Sequence, residues 1–173
     1  MTRGGLNMKW ITAALCMCGV NAAFAATATT TFTVSSTISA ACSTPSAGNL
    51  AFGTYNPLGG SNATATADIT ITCTNSTPIT SVTLSAGGSG SINSRQMSKS
   101  GDTAKKLNYN LYTSSANTSI WGDGGSGNVT NNVSGSAGTG SAQTLTIYGT
   151  IAASQTSAVP GTYSDTITVT INY

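Results

Sequence analysis

Thr30-Thr31-Phe32-Thr33-Val34-Ser35-Ser36-Thr37-Ile38 is the stretch on which the reading of this chain turns. At period two, Phe32, Val34 and Ile38 fall on one face, and Thr30 and Ser36 fill the remaining positions of that row. Thr31, Thr33, Ser35 and Thr37 make up the reverse face. The run predicts a β-strand that is apolar on one side and polar on the other. Such a strand can fill a gap in its own sheet or in a neighbour's, and that choice is the functional question.

What precedes the run reads as a targeting segment. Arg3 and Lys9 give a positive n-region, residues 10–20 are a short apolar core, and Ala23-Phe24-Ala25 offers the small residues of a cleavage site. Met8-Lys9 is a second plausible start. The apolar run is short for a bilayer span, and Asn21 closes it. Residues 1–25 are therefore expected to be a cleaved secretory signal, 26–38 the N-terminal strand segment, and 39–173 one β-domain. Cleavage removes Cys16 and Cys18 and leaves Cys42 and Cys73. In an exported chain these two are expected to form one disulfide, stabilising the fold by roughly 3–4 kcal/mol in the chain-entropy picture.

Charge excludes several functions. Beyond the signal, Arg95, Lys99, Lys105 and Lys106 balance Asp68, Asp102, Asp123 and Asp165. Without a basic surplus, nucleic acid is not an expected partner. So few charges give little repulsion between copies, which suits a protein that assembles. The chain has no His, which removes the usual catalytic base and the commonest metal ligand. The scattered aspartates form no recognisable acid/base pair, and Asp123 alone is too little for calcium. No enzyme activity, metal or cofactor is expected.

The remaining chain is rich in Thr, Ser, Val, Ile, Tyr and Gly, the profile of an all-β domain. Candidate strands are 50–53, 65–74, 79–86, 107–113, 144–152 and 162–173. Ile69, Ile71 and Cys73 share one face of theirs, as do Leu107, Tyr109 and Leu111, and Leu145, Ile147 and Gly149. Ile79 is out of phase with Val82 and Leu84, which predicts a kink after Pro78. Tyr163, Asp165, Ile167, Val169, Ile171 and Tyr173 form a single row that only Asp165 interrupts. Residues 122–143, rich in Gly, Ser and Asn, read as a surface loop or weak hairpin. Trp121 reads as a core or turn-anchoring residue. Strands at this spacing argue for an immunoglobulin-like sandwich. In that sandwich the last apolar strand has nothing after it to pair with, an exposed edge that secreted proteins must manage. The spare N-terminal strand has the alternation to cover such an edge between subunits.

Several blocks then carry a family resemblance: Ala41-Cys42-Ser43, Leu50-Ala51-Phe52-Gly53-Thr54-Tyr55-Asn56-Pro57, residues 69–73, Leu107-Asn108-Tyr109-Asn110-Leu111-Tyr112, Ile120-Trp121-Gly122-Asp123-Gly124 and Pro160-Gly161-Thr162-Tyr163-Ser164-Asp165. In this order they resemble the spore coat U domain family, which includes subunits of archaic, Csu-type chaperone–usher pili. The resemblance implies an incomplete immunoglobulin-like sandwich that lacks its last strand and is completed by donor-strand complementation. It implies a periplasmic chaperone, an outer-membrane usher and other pilus subunits as partners, and a place at the cell surface in adhesion and biofilm formation. Carried onto this chain, the donor row is Thr30, Phe32, Val34, Ser36 and Ile38. The acceptor groove is edged by Ile167, Val169 and Ile171, with Tyr173 near the chaperone's anchor point, and Cys42 and Cys73 match the family disulfide. The alternative is a secreted coat protein whose N-terminal strand completes its own sandwich.

Overall fold

The computed structural model describes residues 25–173, so the expected signal segment falls almost wholly outside the described residues. The chain divides between Thr37 and Ile38 into two units. In the first, described residues 25–37 are exposed and belong to neither sheet; Phe32 and Val34 are 85% and 82% exposed.

The second unit is all-β; among the described residues there is no α-helix, only short 3₁₀ turns at Gly87–Ser89 and Ser134–Ser136. Its strands are β1 (Ser46–Ala47), β2 (Ala63–Thr72), β3 (Ser81–Leu84), β4 (Arg95–Lys99), β5 (Asp102–Tyr112), β6 (Ala142–Ile151), β7 (Tyr163–Ser164) and β8 (Val169–Asn172). A six-stranded antiparallel sheet has the order β1-β2-β6-β5-β4-β7, and β3 pairs with β8 in a small second sheet. The backbone of β2 and β6 is in register over ten residues, Ala63 opposite Ile151 through Thr72 opposite Ala142. β5 pairs with β4 through its first part and with β6 through its last three residues, so it carries the curl of the sheet.

Alternation decides what is buried. Ile69, Ile71 and Cys73 are buried, as are Leu107, Tyr109 and Leu111, and they meet Ile79, Val82 and Leu84 of the opposite layer. Each large side chain removed from water in this way contributes about 1.5–3 kcal/mol. Trp121 is fully buried and donates its indole N–H to the Val82 carbonyl at 2.8 Å, so it is a core residue. Cys42 and Cys73 are joined by a disulfide that ties residues 41–43 along the end of β2, where Ser43 N–H donates to Thr72 O.

The fold departs from the sequence reading in four places. Residues 50–53 are not a strand; Gly53 sits at φ 68°, in the left-handed region, although Leu50 and Phe52 still pack against the core. The last run is two strands rather than one: β7 pairs with β4, and β8 pairs with β3 in the other sheet. Residues 122–143, expected as a surface loop or weak hairpin, bond to β3 and the segment before it and end in the first two residues of β6. Val82 and Asn131 exchange backbone bonds in both directions, Pro78 bridges Ala137, and Val133 is buried. The kink after Pro78 is present, with Ile79 bonded to Ser136 and β3 starting at Ser81. Finally, β4 was not anticipated, because Met97 is its one apolar residue.

What β4 contributes instead is Arg95, which is fully buried. Its guanidinium donates to Ser85 O at 2.8 and 3.0 Å, to Trp121 O at 2.8 Å, to Leu84 O at 3.3 Å and to Asn110 Oδ1 at 2.8 Å. Burial lowers its pKa from the ordinary arginine value, against the raising influence of Tyr109, Asp165 and Asp123. The side chain clasps the end of β3, β5 and the Trp121 segment together.

Candidate functional site

The two edges of the six-stranded sheet, β1 and β7, flank one groove. Its upper part, about 460 Å³, has Ala47–Leu50 and Phe52 on one wall and residues 163–167 with Val169 on the other, over a floor of Tyr109, Leu111 and Ile147. Its lower part, about 660 Å³, runs between residues 50–55 and 158–163 over Leu107 and Ile151. Leu50, Phe52, Met97 and Tyr163 line both parts, so the groove is continuous. Alternation built this floor: the inward rows of β5 and β6 are the same residues that form the core.

Of the C-terminal row read from the sequence, Tyr163, Asp165, Ile167 and Val169 line the groove, and Ile171 and Tyr173 do not. Tyr163, Asp165, Ile167, Val169 and Ile171 are half-buried, and the residues between them are exposed. Val82 N–H donates to Asn131 O and Leu84 N–H to Gly122 O, so the β3–β8 bonds fall on Thr83 and Thr170. Ile171 and Val169, which lie opposite Val82 and Leu84, therefore turn their N–H and C=O groups away from β3. Tyr173 is 59% exposed.

The other wall was not assigned as groove in the sequence reading. Leu50 and Phe52 lie across β6 where Gly149 leaves room: a Cβ there would come within 2.8 Å of Leu50 and 2.9 Å of Phe52. Phe52 also meets the Tyr109 ring edge-on, with centroids 6.3 Å apart. The legible signal was the Leu50/Phe52 alternation, paired with a glycine in the row Leu145, Ile147, Gly149.

One polar group sits in this wall. Asp165 accepts from Tyr109 O–H at 2.7 Å and from the backbone N–H of Gly88 and Thr166 at 2.8 Å each. Gly87, at φ 67°, packs against the same carboxylate, leaving no room for a Cβ. Burial first, then the bond to Asp165, raises the Tyr109 pKa well above the usual tyrosine value. Asp123 lies elsewhere: its carboxylate accepts from Gly125 N–H, which lowers its pKa and closes a local turn.

Of the expected donor row, Phe32, Val34 and Ile38 are among the most exposed large apolar residues described, Ile38 at 87%. The spore coat protein U domain profile matches residues 28–170. The chain belongs to the spore coat protein U domain family. That family includes subunits of Csu-type pili, and it is a structural rather than a catalytic one. No curated protein matches the chain.

Proposed function

We propose that this family member is a structural subunit of a surface pilus, assembled through the chaperone–usher pathway by donor-strand exchange and supporting adhesion and biofilm formation. In this reading residues 1–25 export the chain, 26–38 are the donor segment, and 39–173 are an immunoglobulin-like sandwich missing its last strand. The donor row Thr30, Phe32, Val34, Ser36 and Ile38 of one subunit fills the groove of another. A periplasmic chaperone holds the groove beforehand, beside Ile167, Val169, Ile171 and Tyr173, and an outer-membrane usher exchanges the strands.

The observation that carries the reading is the groove itself: a trough flanked by both edges of one curled sheet, with Leu111 and Ile147 in its floor and Ile167 and Val169 alternating along one wall. In β-strand addition, main-chain bonds give affinity and alternate side chains seat in pockets. An exposed alternating segment of the same chain supplies the complement.

The test uses the chain carrying Phe32→Asp and Val34→Asp, purified with its chaperone. A synthetic peptide of residues 26–38 is expected to displace the chaperone and raise the unfolding midpoint with the logarithm of peptide concentration above its Kd. A peptide carrying the same two aspartates is expected to do neither. Equal behaviour of the two peptides contradicts the proposal.

A further inference from the structure

The disulfide sits where the exposed N-terminal segment enters the β-domain. Cys42 lies just inside the second unit, which begins at Ile38, and its partner Cys73 directly follows β2. Backbone bonds flank the bridge. Ala41 N–H donates to Thr74 Oγ1 at 3.1 Å, and Ala41 O accepts from Thr74 N–H at 2.8 Å. Cys73 O accepts from Gly140 N–H at 3.0 Å, and a Cβ at Gly138 would collide with Cys73 and Thr74. Behind this point β2 is paired with β6 along its whole length, from Ala63 to Thr72.

The chain that leaves Cys42 is held more weakly. Residues 43–62 give the sheet the two-residue strand β1, with backbone bonds from Ser43 to Thr72 O and from Gly48 to Asp68 O on either side of it. Yet this stretch carries Leu50 and Phe52, one wall of the groove, and Tyr55, whose O–H donates to Ala152 O at 2.8 Å. Without the bridge, a pull on residue 42 would load these bonds one after another from Ser43 onward. Bonds loaded in turn resist less than a ladder loaded together.

Resting on the strand-donation reading above, we infer that the Cys42–Cys73 disulfide is a tension bypass that protects the groove. In a fibre of donated strands, each subunit is pulled through its own N-terminal segment and through the strand its groove holds. The disulfide carries that pull from Cys42 directly to Cys73 and the β2–β6 ladder, and residues 43–62 stay slack. With the bridge open, the same pull enters at Ser43, strips β1 and lifts Leu50 and Phe52 out of the groove. The held strand loses one wall, and the fibre parts at that subunit. Without tension the opened subunit keeps its groove, so the effect is separate from ordinary loss of stability.

Fibres recovered from cells expressing the chain with its chaperone and usher are stretched in an optical trap. Parent fibres are compared with C42S/C73S, with Arg95→Met, and with C42S/C73S carrying S46C/T70C. Arg95→Met weakens the domain while the bridge stays in place, because buried carbonyls lose their donor. Ser46 and Thr70 are opposite each other in β1 and β2, so a bridge there closes the chain again ahead of the groove wall. C42S/C73S fibres are expected to lengthen in steps of about 70 Å, the extended length of residues 43–62, before they part. The other three are expected to show no step of that length at the same force. Where C42S/C73S does not assemble, parent fibres are treated with a dithiol after assembly, and the same steps are expected. The dithiol opens the bridge by exchange, its two thiols becoming a disulfide as Cys42 and Cys73 become thiols.

Steps of this length in the untreated parent, in Arg95→Met or in the re-bridged fibres overturn the bypass and leave strand donation standing. So does their absence from both C42S/C73S and the dithiol-treated parent. Failure of the parent chain to form fibres overturns strand donation itself, and the bypass with it.

Discussion

Replacing Arg95 with methionine tests whether the buried guanidinium clasps the two layers together. Methionine has nearly the same reach and no donors. After the change Ser85 O and Trp121 O lose the 2.8 Å bonds they accept from the guanidinium, and Asn110 Oδ1 keeps only the Leu111 N–H. Each buried acceptor left without a donor costs about 1–3 kcal/mol. Relief of the guanidinium's own desolvation works the other way, which is why apolar replacements of buried ion pairs are often neutral or stabilising. Here the partners are mainly backbone carbonyls, which the substitution cannot remove. The balance is a loss of about 3–4 kcal/mol. For a domain of this size that lowers the unfolding midpoint by roughly 10 °C. Thermal unfolding followed by circular dichroism, with the disulfide intact, reads it directly. Arg95→Lys is expected to fall between the two, since an ammonium cannot reach several carbonyls in the guanidinium's fork. An Arg95→Met chain that melts at or above the parent refutes the argument.

Three further outcomes follow from the same structure. Cys42→Ser with Cys73→Ser opens a link across 31 positions and is expected to cost about 3.5 kcal/mol, read by denaturant titration; reductant should then have no further effect on the double variant. Because burial raises the Tyr109 pKa, the folded state keeps that proton after the unfolded chain has lost it. The resulting stability is complete below about pH 10 and is lost as pH rises toward the folded value, so Tyr109→Phe should flatten the alkaline decline seen in a melting series. Gly149→Val should push Leu50 and Phe52 into the groove and weaken capture of the 26–38 peptide by about tenfold in a binding titration; unchanged capture means those side chains do not line the site.

Much of this fold was legible because alternation is a direct record of burial. Ile69, Ile71, Leu107, Tyr109 and Leu111 were assigned to one face each, and all are buried. Trp121 lies in the core, and the offset of Ile79 marked the kink after Pro78. Elements whose stabilisation is not apolar were missed. Arg-Gln-Met-Ser-Lys in β4 carries no apolar alternation, because its inward anchor is a cation satisfied by carbonyls that only the folded chain brings together. Residues 122–143 read as a surface loop or weak hairpin because the segment's contribution is largely backbone bonding to β3, which leaves little apolar pattern. On the C-terminal side the alternating row was legible from the sequence, and Ile167 and Val169 of that row line the groove. The facing wall, Leu50 and Phe52, showed only its alternation, because which segments flank the edges of a sheet depends on topology and not on local pattern. The break between β7 and β8 has the same origin: one continuous apolar row changes partner as it passes from the large sheet to the small one.

Heat-sensitive multimerisation tests the central claim most directly. The chain, co-expressed with its chaperone and usher, is recovered from the cell surface and run in SDS with and without boiling, beside the Phe32→Asp, Val34→Asp variant. Donation between copies predicts a ladder without heating that collapses on boiling and is absent from the variant. A compact monomer without heating, with the variant merely less stable, contradicts it and assigns the strand to the chain's own sandwich.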